Sequence, residues 1–292
     1  MSDKTGISWT DATWNPVTGC TRVSPGCASC YIERTPPFRI NHRKFERVGN
    51  ESTTGVTLHP GRLDQPLRWK KPRRIFVCSM GDLFHEDVPD KFIMRVFAVM
   101  ALAPQHSFQV LTKRPERMAK LLNDITPHIL DTDERSIGER PYVKRWEYGE
   151  EATWPLPNVW LGTSVENPYW ADPRIPWLLR TPAAVRFLSC EPLLSSLGLT
   201  PWLVPEHACS MPSHVLPGNH GLRLPRIHQV IVGGESGPKH RPMDLDWARR
   251  IRDDCVNAGV AFFFKQSSGP RPGGNATLDG VEWRQFPSEV KS

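Results

Sequence analysis

The sequence predicts an α/β fold: a complete or partial (β/α) TIM-like barrel with loop insertions. Three observations carry this. Short apolar runs recur along the chain, each ending in polar residues, and several lead into a helix-like segment. The runs are apolar throughout rather than alternating, as in strands of a parallel sheet buried on both faces. The chain has 292 residues, 39% hydrophobic and 23% charged, a size and balance that suit a single soluble barrel.

In chain order, Arg74–Cys78 is the first clear strand, and Ser79–His85 is its polar end. Residues Pro89–Ala103 read as an amphipathic helix, with Phe92, Ile93, Val96, Phe97 and Met100 at helical spacing. Ser107–Leu111 is a strand ending in Thr112-Lys113-Arg114, and a helix starts with Pro115 in its first turn. Strands at Asn158–Gly162, Ala184–Ser189, Gln229–Gly233 and Val260–Phe264 follow. Before the last strand, Asp244–Ala258 is a helix stopped by Gly259. That makes six strands, and a seventh is expected ahead of the first cysteines. An open doubly wound sheet is the alternative, and both put a site at the strand C-termini.

Three stretches break the rhythm, near 36–69, 126–157 and 200–225. None has the apolar content for its own core, so residues 1–292 read as one barrel domain with insertions. No run approaches the roughly 18 apolar residues of a membrane span. The N-terminus lacks a secretory apolar region, so a cytoplasmic protein with no membrane partner is expected.

The net charge of +6 suits a polyanionic partner, DNA or RNA. Basic residues gather at Arg39–Arg47 and Arg68–Arg74, with Phe45 and Trp69 interleaved as stacking surfaces. A solvated basic surface explains the same residues.

Of seven cysteines, Cys20, Cys27 and Cys30 cluster as C-x6-C-x2-C. Three thiolates hold three irons of a [4Fe–4S] cluster and leave one iron open. The alternative is a zinc site completed by His42 or by a distant cysteine, since a closed zinc site needs four ligands. Cys78, Cys190 and Cys255 read as small buried hydrophobes. Polar residues at strand ends are Asp82, Lys113, Arg114, Glu166, Asn167, Glu191, Glu235, Ser236, Lys265 and Gln266. About half of such residues are expected in rim salt bridges. Glu191 directly follows a strand, so its carboxylate is expected over the mouth. Gly234 lies in a glycine-rich loop that lets backbone approach a ligand.

A three-cysteine loop ahead of a partial barrel is similar to the radical S-adenosylmethionine superfamily. More specifically, Trp14–Cys20, Ser79–Asp82, Leu111–Pro115, Leu161–Asn167, Leu188–Pro192, Val232–Gly237 and Phe264–Gln266 resemble a phage-associated radical-SAM-like family. The superfamily spacing is C-x3-C-x2-C, so the first gap here is longer. The resemblance implies a [4Fe–4S] cluster on Cys20, Cys27 and Cys30, with S-adenosylmethionine on the open iron, and needs a reductant protein. It implies cofactor-binding roles for Asp82, Ser164, Asn167, Gly234, Glu235 and Lys265, and catalytic roles for Glu191, Lys113 and Glu166. The implied function is modification or repair of nucleic acid, in the host cytoplasm if phage-encoded. The competing expectations are a non-catalytic nucleic-acid-binding protein with a structural zinc or iron–sulfur site, and a radical enzyme acting on a small molecule or peptide.

Overall fold

The computed structural model describes residues 5–46, 51–124, 153–204 and 225–287, and the backbone of a two-stranded ribbon at Ser136–Ile137 and Arg140–Pro141. Most of the insertions near 126–157 and 200–225, and Arg47 of the first basic patch, lie outside the described residues.

Seven parallel strands form the sheet: β1 (Ala12–Trp14), β2 (Arg74–Val77), β3 (Ser107–Thr112), β4 (Val159–Ser164), β5 (Val185–Cys190), β6 (Gln229–Gly233) and β7 (Ala261–Gln266). Their spatial order is their chain order. A doubly wound sheet reverses its strand order part-way. This one does not, which removes that alternative and leaves a barrel-like winding. The strand expected ahead of the cysteines is β1.

Among the described residues, four longer helices cover the outer face: α1 (Asp90–Ala101), α2 (Pro115–Asn123), α3 (Pro168–Arg180) and α4 (Leu245–Ala258). Asp244 caps α4, and Gly259 ends it in the left-handed conformation at φ 64°. Helix α3 is absent from the sequence reading because Pro173 and Pro176 lie inside it. Proline usually breaks such a helix. Here Asn167 caps the start, accepting from Trp170 N at 3.2 Å, and Ile175, Leu178 and Leu179 pack into the core.

The sheet divides its side chains by strand alternation. Ile75, Val77, Phe108, Val110, Leu161, Leu188, Val230 and Phe262 face the helices. Phe76, Trp160, Phe187, Ile231 and Phe263 turn inward and pack with Trp9, which precedes β1. The Trp9 ring lies 4.6 Å from Phe76 and 6.4 Å from Phe187. Those residues sit on β2 and β5, about 14 Å apart in a flat sheet. One indole reaches both because the sheet curls into a half-barrel. Phe187 fits because residue 162 is glycine: a Cβ there would come 2.6 Å from its ring. The outer edge of β7 is covered by the C-terminal segment, with Phe264 N bonded to Trp283 O and Gln285 N to Phe262 O.

The basic patches differ from expectation. Trp69 is buried, 5.1 Å below the Arg73 guanidinium, and offers no stacking face. Phe45 lies under Arg22. Arg43 bonds Thr54 O and Thr18 Oγ1, which makes it a clamp on the cysteine loop. Arg74 pairs with Asp11. Arg39, His42, Lys44, Lys70 and Lys71 are exposed. Interleaved cations and rings suggest a binding face when met as sequence. Packing turns the Trp69 ring inward, because burying an indole is worth more than leaving it wet, while Arg22 covers Phe45. Among the described residues no helix is long and apolar enough to cross a membrane.

Candidate functional site

The strand C-termini surround a cavity of about 260 Å³, with Trp9 and Phe76 at its floor. Cys20, Cys27 and Cys30 form part of its wall, together with Ser164, Glu191, Gly234, Glu235 and Lys265.

The cysteine loop hangs from β1. Trp14 donates from Nε1 to Arg62 O at 2.8 Å, anchoring the strand end. Buried Asn15 accepts from Met80 N at 2.9 Å and Ser79 Oγ at 3.2 Å, which ties the loop after β1 to the loop after β2. Gly19 N bonds Met80 O, and Cys20 exchanges bonds with Thr54 through N and O. Cys27 closes a 3-10 turn over Pro25–Cys27, and Cys30 N reaches back to Cys27 O at 3.2 Å.

Glu166 supports the loop from below. It is fully buried and accepts from Ser24 Oγ at 2.7 Å. It pairs with Lys113 Nζ at 2.7 Å and Arg174 Nη1 at 2.9 Å. Burial pushes its carboxyl upward, but Lys113 and Arg174 together hold it below the usual carboxylate range. Gly26 lies against it so closely that a Cβ would come 2.4 Å from Oε1. Only glycine permits that approach. Glu166 and Asn167 do not line the cavity: the first is a strut and the second a helix cap.

Asp82 is also taken up in bonding. Oδ1 accepts from Thr112 Oγ1 at 2.7 Å and Phe84 N at 3.0 Å, while Oδ2 accepts from Lys113 N and Arg114 Nη1, each at 3.1 Å. Glu235 accepts from Arg241 through both oxygens, and Arg241 Nη2 reaches Pro25 O at 3.0 Å. The glycine-rich loop after β6 is thereby latched to the cysteine loop. Glu191 pairs with Lys265 Nζ at 2.8 Å and accepts from Ser189 Oγ at 3.2 Å, at the cavity wall. Gln266, from β7, braces Gly234 O at 3.1 Å.

Burial, and next the Asp82 charge, push the Cys20 thiol up to about 12, while burial pushes Cys30 up to about 11. Such thiols stay protonated until a metal displaces the proton. The donor set fits an iron–sulfur cluster: three thiols share one cavity wall, with Arg114 Nη1 3.8 Å from Cys20 Sγ to offset thiolate charge. Cys78 lines the same cavity, which the sequence reading missed. It sits in the left-handed conformation at φ 60°, within hydrogen-bonding reach of the Val17 backbone, and no local pattern signals that. Among the described residues no three His, Cys, Asp or Glu side chains converge to hold one metal ion. His42 is exposed, and the cavity wall does not include it.

A shallower groove of about 530 Å³ opens beside the mouth between α2 and α3, lined by Lys113, Arg114, Lys120, Trp170, Arg174 and Trp177. Its cations pair with Glu166, Asp82, Glu86 and Glu116, so it carries little net charge.

Two solved structures of spore photoproduct lyase, each a single-substitution variant, are similar to this chain. Identity is 11% and 9% and TM-scores are 0.43 and 0.38, with 85% of this chain covered in both and 61% and 59% of theirs. The chain thus spans about three-fifths of the length of those proteins. No curated protein matches the sequence. The model of the family described as protein of unknown function (DUF5131) matches residues 4–287, and the chain belongs to that family.

Proposed function

We propose that the chain is a radical S-adenosylmethionine enzyme that modifies or repairs nucleic acid. One observation carries the reading: Cys20, Cys27 and Cys30 share a wall of the cavity at the C-terminal mouth of a parallel half-barrel. Active sites of such barrels lie at that end. A [4Fe–4S] cluster held there would supply one-electron reduction of S-adenosylmethionine, using an external reductant protein.

The chain's own residues do the rest. Glu166, Arg241 and Arg114, the last held by Asp82, tie the cysteine loop to the loops after β4, β6 and β3. Glu191 and Lys265 face the cavity as a charged pair that can orient a polar ligand. Ser164 and Gly234 contribute a hydroxyl and bare backbone to the wall. Trp9 and Phe76 close the floor and exclude water from the reacting carbon.

Nucleic acid as substrate rests on the net charge of +6 and on exposed Arg39, Lys44, Lys70 and Lys71. A base in a duplex would have to be flipped out to reach the cavity.

The test is anaerobic purification with iron, sulfide and zinc analysis, then assay of the reduced protein for 5′-deoxyadenosine. Iron with sulfide and slow cofactor cleavage is the expected result. Stoichiometric zinc without iron overturns the reading and favours the non-catalytic alternative. For the substrate, binding to single- and double-stranded DNA and RNA should fall steeply with salt. Replacing Lys44, Lys70 and Lys71 by alanine should lower that salt slope by about one for each phosphate no longer neutralised. No binding at low salt would remove nucleic acid and leave a small molecule or peptide as substrate.

A further inference from the structure

Arg114 differs from Lys113 and Arg241 in the partner its side chain meets. Lys113 turns its charge to Glu166, and Arg241 turns its charge to Glu235. Arg114 instead brings a guanidinium nitrogen to a cysteine sulfur, with Nη1 3.8 Å from Cys20 Sγ. Its orientation is fixed on every side. Nε donates to Glu86 Oε2 at 2.7 Å, Nη1 to Asp82 Oδ2 at 3.1 Å and Nη2 to Thr21 O at 3.4 Å. Asp82 is itself pinned by Thr112 Oγ1 and two backbone N–H groups. The side chain is only 10% exposed, so solvent screens its charge poorly. Pro115 begins α2 directly after it, which fixes the backbone.

A cation and an N–H donor beside a cluster sulfur stabilise the reduced, more negative state. We infer that Arg114 is a positioning residue acting through Cys20: it raises the reduction potential of the cluster that the three cysteines hold. This rests on the iron–sulfur reading above. It adds a residue outside the ligand set, and with it a control on how easily the cluster accepts its electron.

The experiment is a potentiometric titration of anaerobically reconstituted full-length protein, followed by the electron paramagnetic resonance signal of the reduced cluster. Wild type is compared with Arg114→Gln and Arg114→Lys. Arg114→Gln should move the midpoint to lower potential with iron content unchanged. Arg114→Lys should move it less, because the charge remains while the planar fork is removed. An unmoved midpoint in Arg114→Gln overturns the inference and leaves the cluster reading intact. If Arg114→Gln sheds its iron, a lowered midpoint in Arg114→Lys supports the inference and an unmoved one overturns it. Loss of iron from both variants, with the fold intact by circular dichroism, makes Arg114 part of the scaffold and overturns tuning. Wild-type protein without iron overturns the cluster reading, and this inference with it.

Discussion

The two ends of the half-barrel interior are built from the same strands and in opposite chemistry. At the floor, Phe76, Trp160, Phe187, Ile231 and Phe263 close around Trp9. At the mouth, strands β3 and β5 and the loops after β2 and β4 end in Lys113, Glu191, Asp82 and Glu166, each in a network of ions or hydrogen bonds. The floor stabilises by removing apolar area from water, at about 25 cal/mol per Å². The mouth desolvates charges, which costs free energy that the ion pairs only partly return. A fold gains little from such an arrangement. Its use is to hold the cysteine loop in one place.

The sharpest test of that division is at the cysteines themselves. Alanine at Cys20, Cys27 or Cys30 should abolish or strongly reduce iron binding in anaerobic reconstitution while the fold remains, because none of them anchors the sheet. Unchanged iron content in all three variants would break the comparison.

Next in size is the strut. Glu166→Ala leaves Lys113 and Arg174 facing each other without a counter-charge. It should cost about 3–5 kcal/mol in denaturant unfolding and should also lower iron retention, since Ser24 and Gly26 lose their support. Phe187→Ala at the floor should cost a similar amount, about 3–5 kcal/mol, through the cavity it opens, with iron binding per folded molecule unchanged. Equal effects of the two on iron binding would show that the ends are not separable.

The smallest expected effect is on pH. His228, just before β6, accepts Arg186 N–H at Nδ1 at 3.0 Å. Burial, and then the charges of Arg186 and Arg226, push its pKa from 6.5 down to about 4. Its neutral form therefore stabilises the fold fully above pH 6.5, and this contribution is lost as pH falls towards 4. His228→Asn should flatten part of that loss in unfolding midpoints measured across the window. Glu166, held below the usual range, acts in the next window down: its contribution is present above about pH 4.5 and is lost in stronger acid.

Much of the architecture was legible because it is written locally. Unbroken apolar runs marked β2–β7, and Gly259 and Pro115 marked helix ends. Helix α3 was hidden, because Pro173 and Pro176 are breakers by local propensity and only its packed inner face overrides them. The strand-end residues were legible as a set but not by role. Lys265 and Glu191 face the cavity, while Glu166 and Asn167, one and two positions past Val165, serve the loop and the helix. A shift of one residue along a strand end turns a side chain to the opposite face, and no single sequence states where the strand stops.

The amino-acid sequence by itself determined the alternation of buried parallel strands with helices and the grouping of three cysteines, since both depend on neighbours within a few residues; the winding of the sheet was decided only by the order in which its strands pair. Tertiary structure alone decided that Trp69 is core, that Cys78 joins the cavity and that Arg114 faces Cys20. The partners that decide these placements lie tens of residues away in the chain: His106 for Trp69, Val17 for Cys78, and Cys20 and Asp82 for Arg114. Such contacts come into being only when the sheet curls.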